Sequence, residues 1–149
     1  MACVTLRETR SFTRNISSIK TDIAMQENEL TDLILKCAYK VHTTLGPGLL
    51  ESAYEACLEY ELLKNSIQLT RQQGLPFIYE TVKLETAYRL DLYVESKVIV
   101  EIKSVEVLSR LHFAQLLTYL RLSDCRVGLL LNFNTVSLRD GVKRIVNNY

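Results

Sequence analysis

Asp91, Glu101 and Lys103 lie in one stretch of alternating apolar and polar residues, Tyr88-Arg89-Leu90-Asp91-Leu92-Tyr93-Val94, then Glu95-Ser96-Lys97, then Val98-Ile99-Val100-Glu101-Ile102-Lys103. Alternation of this kind is the signature of paired strands, in which successive side chains take opposite faces. Arg89, Asp91 and Tyr93 then share one face and Leu90, Leu92 and Val94 the other, while Glu101 and Lys103 share a face of the next strand. Whether the two carboxylates meet depends on the loop. A three-residue loop, Glu95 to Lys97, pairs Val94 with Val98 and sets Asp91 opposite Glu101; a two-residue loop sends them to opposite faces. In the first register their Cβ atoms are about 5 Å apart, with an ammonium two residues along. Carboxylates so close repel unless a cation joins them, and hard oxygen ligands suit Mg²⁺ or Mn²⁺. Lys103 could then position or deprotonate a water on that metal. The same residues also fit a solvent-facing strand pair in which Lys103 merely offsets Glu101.

Two further groups bear on the choice. Gln115 and Tyr119 are four apart on a helical pattern and share a face, with His112 beside them and Phe113, Leu116, Leu117 and Leu120 as the opposite, apolar stripe. Polar groups on so apolar a helix need partners if buried, and a structural hydrogen-bonded pair would satisfy that as well as a functional one. Glu51 lines up with Tyr54 and Leu58 at the margin of a second helix's buried stripe. There its carboxylate can point at the sheet or serve as a first-turn acid favoured by the helix dipole.

The elements that must hold these residues follow from hydrophobic period and punctuation. Leu30, Leu33, Ile34, Cys37, Ala38, Val41 and Leu45 have helical spacing, and Gly46-Pro47-Gly48 ends that helix. A second helix is expected over 49–65, with Leu50, Ala53, Cys57, Leu58 and Leu62 buried. The period changes at Gln68, and strands are expected over 76–79, 83–94 and 98–103. A third helix covers about 109–122 and a strand 126–133, while 141–147 fits either state. Meandering strands imply antiparallel pairs, and the helix between Lys103 and Arg126 permits a parallel crossover. The expected fold is α/β (α+β), a mixed central sheet flanked by helices.

The chain has 149 residues and a mass of 17.1 kDa, with 48% hydrophobic and 23% charged residues, enough for one core and one domain. Residues 1–27 lack periodicity and are expected to be a disordered, non-core tail, with Met25 a candidate start; the domain then spans 28–149. Eighteen basic against seventeen acidic side chains leave +1, which excludes a strongly polybasic nucleic-acid binder but not a local basic patch. The longest apolar run, around Leu129, Leu130 and Leu131, is too short for a bilayer. Cys3, Cys37, Cys57 and Cys125 form no C-x-x-C pair, which argues against a zinc cage or disulfide framework. The last three read as buried, reduced thiols. A soluble, cytoplasmic domain without membrane association is expected.

Gly48-Leu49-Leu50-Glu51-Ser52-Ala53-Tyr54 spells G-x-x-E-x-x-Y, preceded by Val41-His42-x-x-Leu45-Gly46-Pro47. Downstream follow Tyr88-Arg89-Leu90-Asp91, Glu101-Ile102-Lys103-Ser104, Gln115-x-x-x-Tyr119 and Gly128-Leu129-Leu130-Leu131-Asn132-Phe133. In order and spacing this resembles the GxxExxY protein family, a compact branch of the PD-(D/E)XK nuclease superfamily, over about residues 29–147. The resemblance implies a restriction-endonuclease-like core, a mixed sheet with flanking helices. It also implies a metal site formed by Asp91, Glu101, the backbone carbonyl of Ile102 and the helical Glu51, holding Mg²⁺ or Mn²⁺. Lys103 would orient the attacking water and stabilise developing charge. Gln115 and Tyr119 would organise the site and touch the DNA backbone. Gly46 and Gly48 serve the chain turn. The proline of the superfamily's name is absent, since Leu90 precedes Asp91.

The implied reaction is metal-assisted hydrolysis of phosphodiester bonds, with DNA as the expected partner, in a homodimer or larger assembly. Family membership fixes fold better than activity. The other function open at this point is a non-catalytic nucleic-acid-binding or protein-interaction module that keeps the nuclease fold, a reading favoured by small size and near-zero charge.

Overall fold

A computed structural model describes residues 25–147. The expectation of a disordered tail falls almost wholly on residues outside these. The elements run α1 (Glu27–Leu45), α2 (Glu51–Lys64), β1 (Leu69–Tyr79), β2 (Val82–Val94), β3 (Val98–Lys103), α3 (Arg110–Leu122), β4 (Val127–Asn132), α4 (Leu138–Gly141) and β5 (Val142–Val146). The strands form one sheet in the order β1-β2-β3-β4-β5, antiparallel except for the parallel pair β3–β4 bridged by α3. The expected mixed sheet with flanking helices is therefore the observed fold.

Each face of the sheet buries a different layer. Leu92, Val94, Val98, Val100, Ile102, Leu129, Leu131 and Phe133 pack with Leu30, Ile34, Ala38 and Val41 of α1 and Tyr54, Leu58 and Leu62 of α2. Ile99 and Leu130 pack on the other face with Leu116, Tyr119 and Leu120 of α3. Covered on both faces, β3 and β4 carry near-continuous apolar runs rather than alternation, as parallel central strands do. Every residue of β4 is buried.

Helix α1 starts at Glu27, one residue before the expected domain boundary, under a capping box between Gln26 and Glu29. It ends where Gly46 and Gly48 take φ of 68° and 101°, conformations that side-chain-bearing residues rarely adopt. Tyr54 pins this turn: its hydroxyl donates to the Gly46 carbonyl at 2.6 Å and accepts from the Leu49 amide at 3.1 Å, and its ring stacks on Phe133 at 4.5 Å. The G-x-x-E-x-x-Y spacing is thus a turn and the ring that holds it.

Several expectations require correction. Helix α2 begins at Glu51, with Leu50 as its N-cap, 77% exposed; Tyr54, Glu55, Leu58 and Leu62 form the buried stripe, and Cys57 is only half-buried. Tyr54 rotates the helix toward Phe133, which turns the Ala53–Cys57 line to the margin. Strand β1 starts at Leu69, seven residues before the expected 76, because its inner half is polar and edge-lying and shows no apolar alternation. Tyr119 belongs to the core rather than to a face opposite it. The ambiguous 141–147 contains β5, paired antiparallel to β4.

Candidate metal centre

The β2–β3 hairpin has the three-residue turn. Glu95 and Ser96 take φ of 51° and 53°, Lys97 donates to the Val94 carbonyl at 2.9 Å, and Val94 pairs with Val98, Tyr93 with Ile99 and Leu92 with Val100. The ladder stops there, one step short of Asp91 and Glu101. The two carboxylates take over as acceptors for the strands' own amides. Ile102 N–H donates to Asp91 Oδ2 at 2.8 Å, and Asp91 N–H donates to Glu101 Oε1 at 3.2 Å. On the other side of β2 a rung is also missing, because Arg71 pairs with Leu92 and Gln73 with Leu90, leaving Gln72 and Asp91 between them. The expected face-sharing of Leu90 with Leu92 and Val94 fails at this point: Leu90 lies in the α3 layer, the other two beneath α1 and α2. Strand alternation requires an unbroken ladder, and β2 has none at Asp91.

A carboxylate on the central strand is costly to ionise. Glu101 is 3% exposed, and its carboxyl is pushed up to about 8, first by burial and then by the charge of Asp91. Burial also raises Asp91, opposed by the Ile102 amide that favours its anion. The pair sits where a proton or a cation is wanted.

Lys103 follows on the same strand, half-buried, its Nζ donating to Gln115 Oε1 at 3.4 Å; Gln115 Nε2 donates to the Tyr119 hydroxyl at 2.8 Å. Burial and the nearby charge of Glu101 raise the Tyr119 phenol, and its ring lies against Tyr88 with centroids 5.6 Å apart. The i,i+4 pair is therefore a relay from the core of α3 to the lysine. His112 turns away to cap α3, its Nδ1 accepting from Ser109 N–H at 3.1 Å.

Glu51 stands at the first turn of α2, exposed, and accepts the Ser104 amide at 3.2 Å, while Ser104 Oγ donates to the Leu49 carbonyl at 2.7 Å. It points at the end of β3, as one sequence expectation had it. It does not join the carboxylate pair: among the described residues no three His, Cys, Asp or Glu gather in metal-holding geometry. Asp91, Glu101, Lys103, Gln115 and Tyr119 are brought together, and Glu51 is held beside the residue after Lys103.

Three residues of this region escape a sequence reading. Glu55, 5% exposed, accepts from Arg71 Nε at 2.7 Å and from Gln72 Nε2 at 2.9 and 3.0 Å, and the same Gln72 nitrogen reaches Asp91 Oδ1 at 3.2 Å. The one available signal was Glu55 standing four residues after Glu51, on the same helical face.

The oxygen donors of Asp91 and Glu101 are of the type that a hard divalent cation completed by water takes. Two acidic oxygens groups with too little positive charge around them are the chemistry such an ion satisfies.

A family model for the PD-(D/E)XK nuclease superfamily matches residues 28–145. No curated protein and no solved structure matches the chain. This chain belongs to the PD-(D/E)XK nuclease superfamily, whose nucleases generally use divalent metals. Among the described residues no helix is long and apolar enough to cross a membrane.

Proposed function

We propose, from that membership, that the chain is a metal-dependent nuclease hydrolysing phosphodiester bonds in DNA and belongs to the GxxExxY branch. The observation carrying this reading is the meeting of Asp91 and Glu101, both with raised carboxyls, two residues from a lysine held by Gln115. The pair accepts two main-chain amides of the interrupted ladder, a task that an unbroken ladder of apolar residues performs without the cost of burying carboxylates.

Asp91 and Glu101 would hold Mg²⁺ or Mn²⁺, with the Ile102 carbonyl as a further ligand; Glu51, held on the Ser104 amide, would have to leave it to complete the set. A divalent metal held there would supply neutralising charge at the scissile phosphate and make a water more acidic. Lys103 orients the attacking water and stabilises charge on the phosphate oxygens. Gln115 fixes the direction of Lys103 through its carbonyl, and Tyr119 fixes Gln115. None of these groups reads a base, so selectivity for sequence is not expected.

The test is cleavage of linear, circular and single-stranded DNA against titrated Mg²⁺ and Mn²⁺, with Lys103→Ala beside wild type. Metal-dependent cleavage that falls roughly 10²–10⁴-fold in Lys103→Ala supports the reading, and cutting of the circle distinguishes endonuclease from exonuclease. Folded, metal-saturated protein that binds these DNAs without cutting them would instead establish a non-catalytic binding module.

A further inference from the structure

Arg71 and Gln72 are consecutive residues of β1, and consecutive strand residues point to opposite faces. Both nevertheless reach the same carboxylate on α2, Arg71 through Nε at 2.7 Å and Gln72 through Nε2 at 2.9 and 3.0 Å from the two Glu55 oxygens. The backbone explains how. Gln72 has φ of 54°, a left-handed conformation that a residue with a side chain adopts at a cost, and it lies in the missing rung opposite Asp91. Strain of this kind persists only where the surroundings hold it, and it gathers at functional sites.

The turned side chain does more than neutralise Glu55, for which Arg71 is already present. A glutamine Nε2 carries two hydrogens. One serves the Glu55 carboxylate and the other reaches Asp91 Oδ1 at 3.2 Å. Asp91 Oδ2 already accepts the Ile102 amide at 2.8 Å, so both carboxylate oxygens have a fixed donor and the group has one orientation. Glu55 is buried and itself fixed by Arg71, which also contacts Glu59 at 3.2 Å, so the amide is anchored to rigid helix. The choice of an amide is chemically pointed. A lysine or arginine here would orient Asp91 equally well, but its charge would compete with a cation for the same carboxylate. A neutral donor aims Asp91 and leaves its charge available.

We propose that Gln72, anchored by Glu55, is a positioning residue for the metal carboxylate Asp91, and that its left-handed backbone exists to aim it there. This rests on the metal-site reading above. The test measures Mn²⁺ affinity by calorimetry on the full chain, for wild type, Gln72→Asn and Gln72→Gly, with metal-free melting points alongside. Asparagine and glycine both tolerate positive φ, so melting points at or above wild type are expected. The asparagine side chain is a methylene too short to span both carboxylates, and glycine has none. Mn²⁺ affinity is expected to fall roughly 10–100-fold in both variants, the usual loss when a ligand's outer partner is removed.

Equal affinity in all three proteins overturns the inference while leaving the metal site standing. Affinity lost only together with a large drop in melting point in both variants also overturns it, in favour of a purely structural bridge. Wild-type protein that binds no Mn²⁺ overturns the metal-site reading and this inference with it.

Discussion

Glu55 and Glu101 are buried to nearly the same degree, 5% and 3% exposed, and both are linked to Asp91, one through Gln72 and one through the Asp91 amide, yet the fold treats them in opposite ways. Around Glu55 the charge is answered: Arg71 lies at 2.7 Å and an amide donates to both oxygens. Glu101 faces Asp91 and accepts a single backbone amide at 3.2 Å, and its carboxyl rises to about 8. A buried carboxylate with its counter-ion is part of the scaffold. One set against another carboxylate is a site awaiting positive charge. The contrast separates the holding apparatus from what it holds within one small region.

Breaking the answered half should have the largest effect on stability. Arg71→Ala leaves Glu55 buried without its cation, and a loss of about 2–3 kcal/mol is expected in chemical denaturation, toward the lower end for buried pairs because the Arg71 side chain is 34% exposed. A neutral result would mean that the Gln72 amide alone suffices.

Relieving the unanswered half should act in the opposite direction. Glu101→Gln removes the repulsion and keeps the volume, so metal-free protein at pH 8 should gain on the order of 1–3 kcal/mol. Destabilisation would show that Glu101 is structural, like Glu55. The same variant should lose its response to Mg²⁺.

A smaller effect sharpens the role of the turn that presents Glu51. Tyr54→Phe keeps the stack on Phe133 and loses the hydroxyl's bonds to Gly46 and Leu49, for an expected cost of about 1 kcal/mol. If Glu51 contributes to the metal site, Mg²⁺ affinity should fall modestly alongside, read by calorimetry. An unchanged affinity would confine the G-x-x-E-x-x-Y tyrosine to fold maintenance.

The legibility of these regions differed for physical reasons. Strand β3 was readable as a short Val- and Ile-rich run after a turn, but its loop admitted two registers, and the structure takes the three-residue one, with Val94 paired to Val98. The parallel crossover through α3 was readable because a helix between two strands leaves little else. The Gln72 bridge was hidden. It depends on a left-handed backbone at a residue that gives no sign of one, within a polar segment where strand propensity is weak. The flip of Leu90 into the α3 layer was hidden for the same reason, since a face assignment presumes a continuous ladder. Sequence period thus located the carboxylates, while the departures from period that let them meet appeared only in three dimensions.

The contrast between the two glutamates is tested most directly by denaturation of wild type and Glu101→Gln at pH 5 and pH 8, with and without Mg²⁺. The Glu101 carboxyl titrates near 4.5 in the unfolded chain and near 8 in the fold, so between these values the folded protein holds a proton that the unfolded chain has released. Stability should therefore fall as pH rises through that window, by on the order of a few kcal/mol. The expected result is that fall in metal-free wild type, its removal by Mg²⁺, and a flatter profile in Glu101→Gln that Mg²⁺ does not change. Identical profiles for the two proteins, with no response to Mg²⁺ in either, would contradict it.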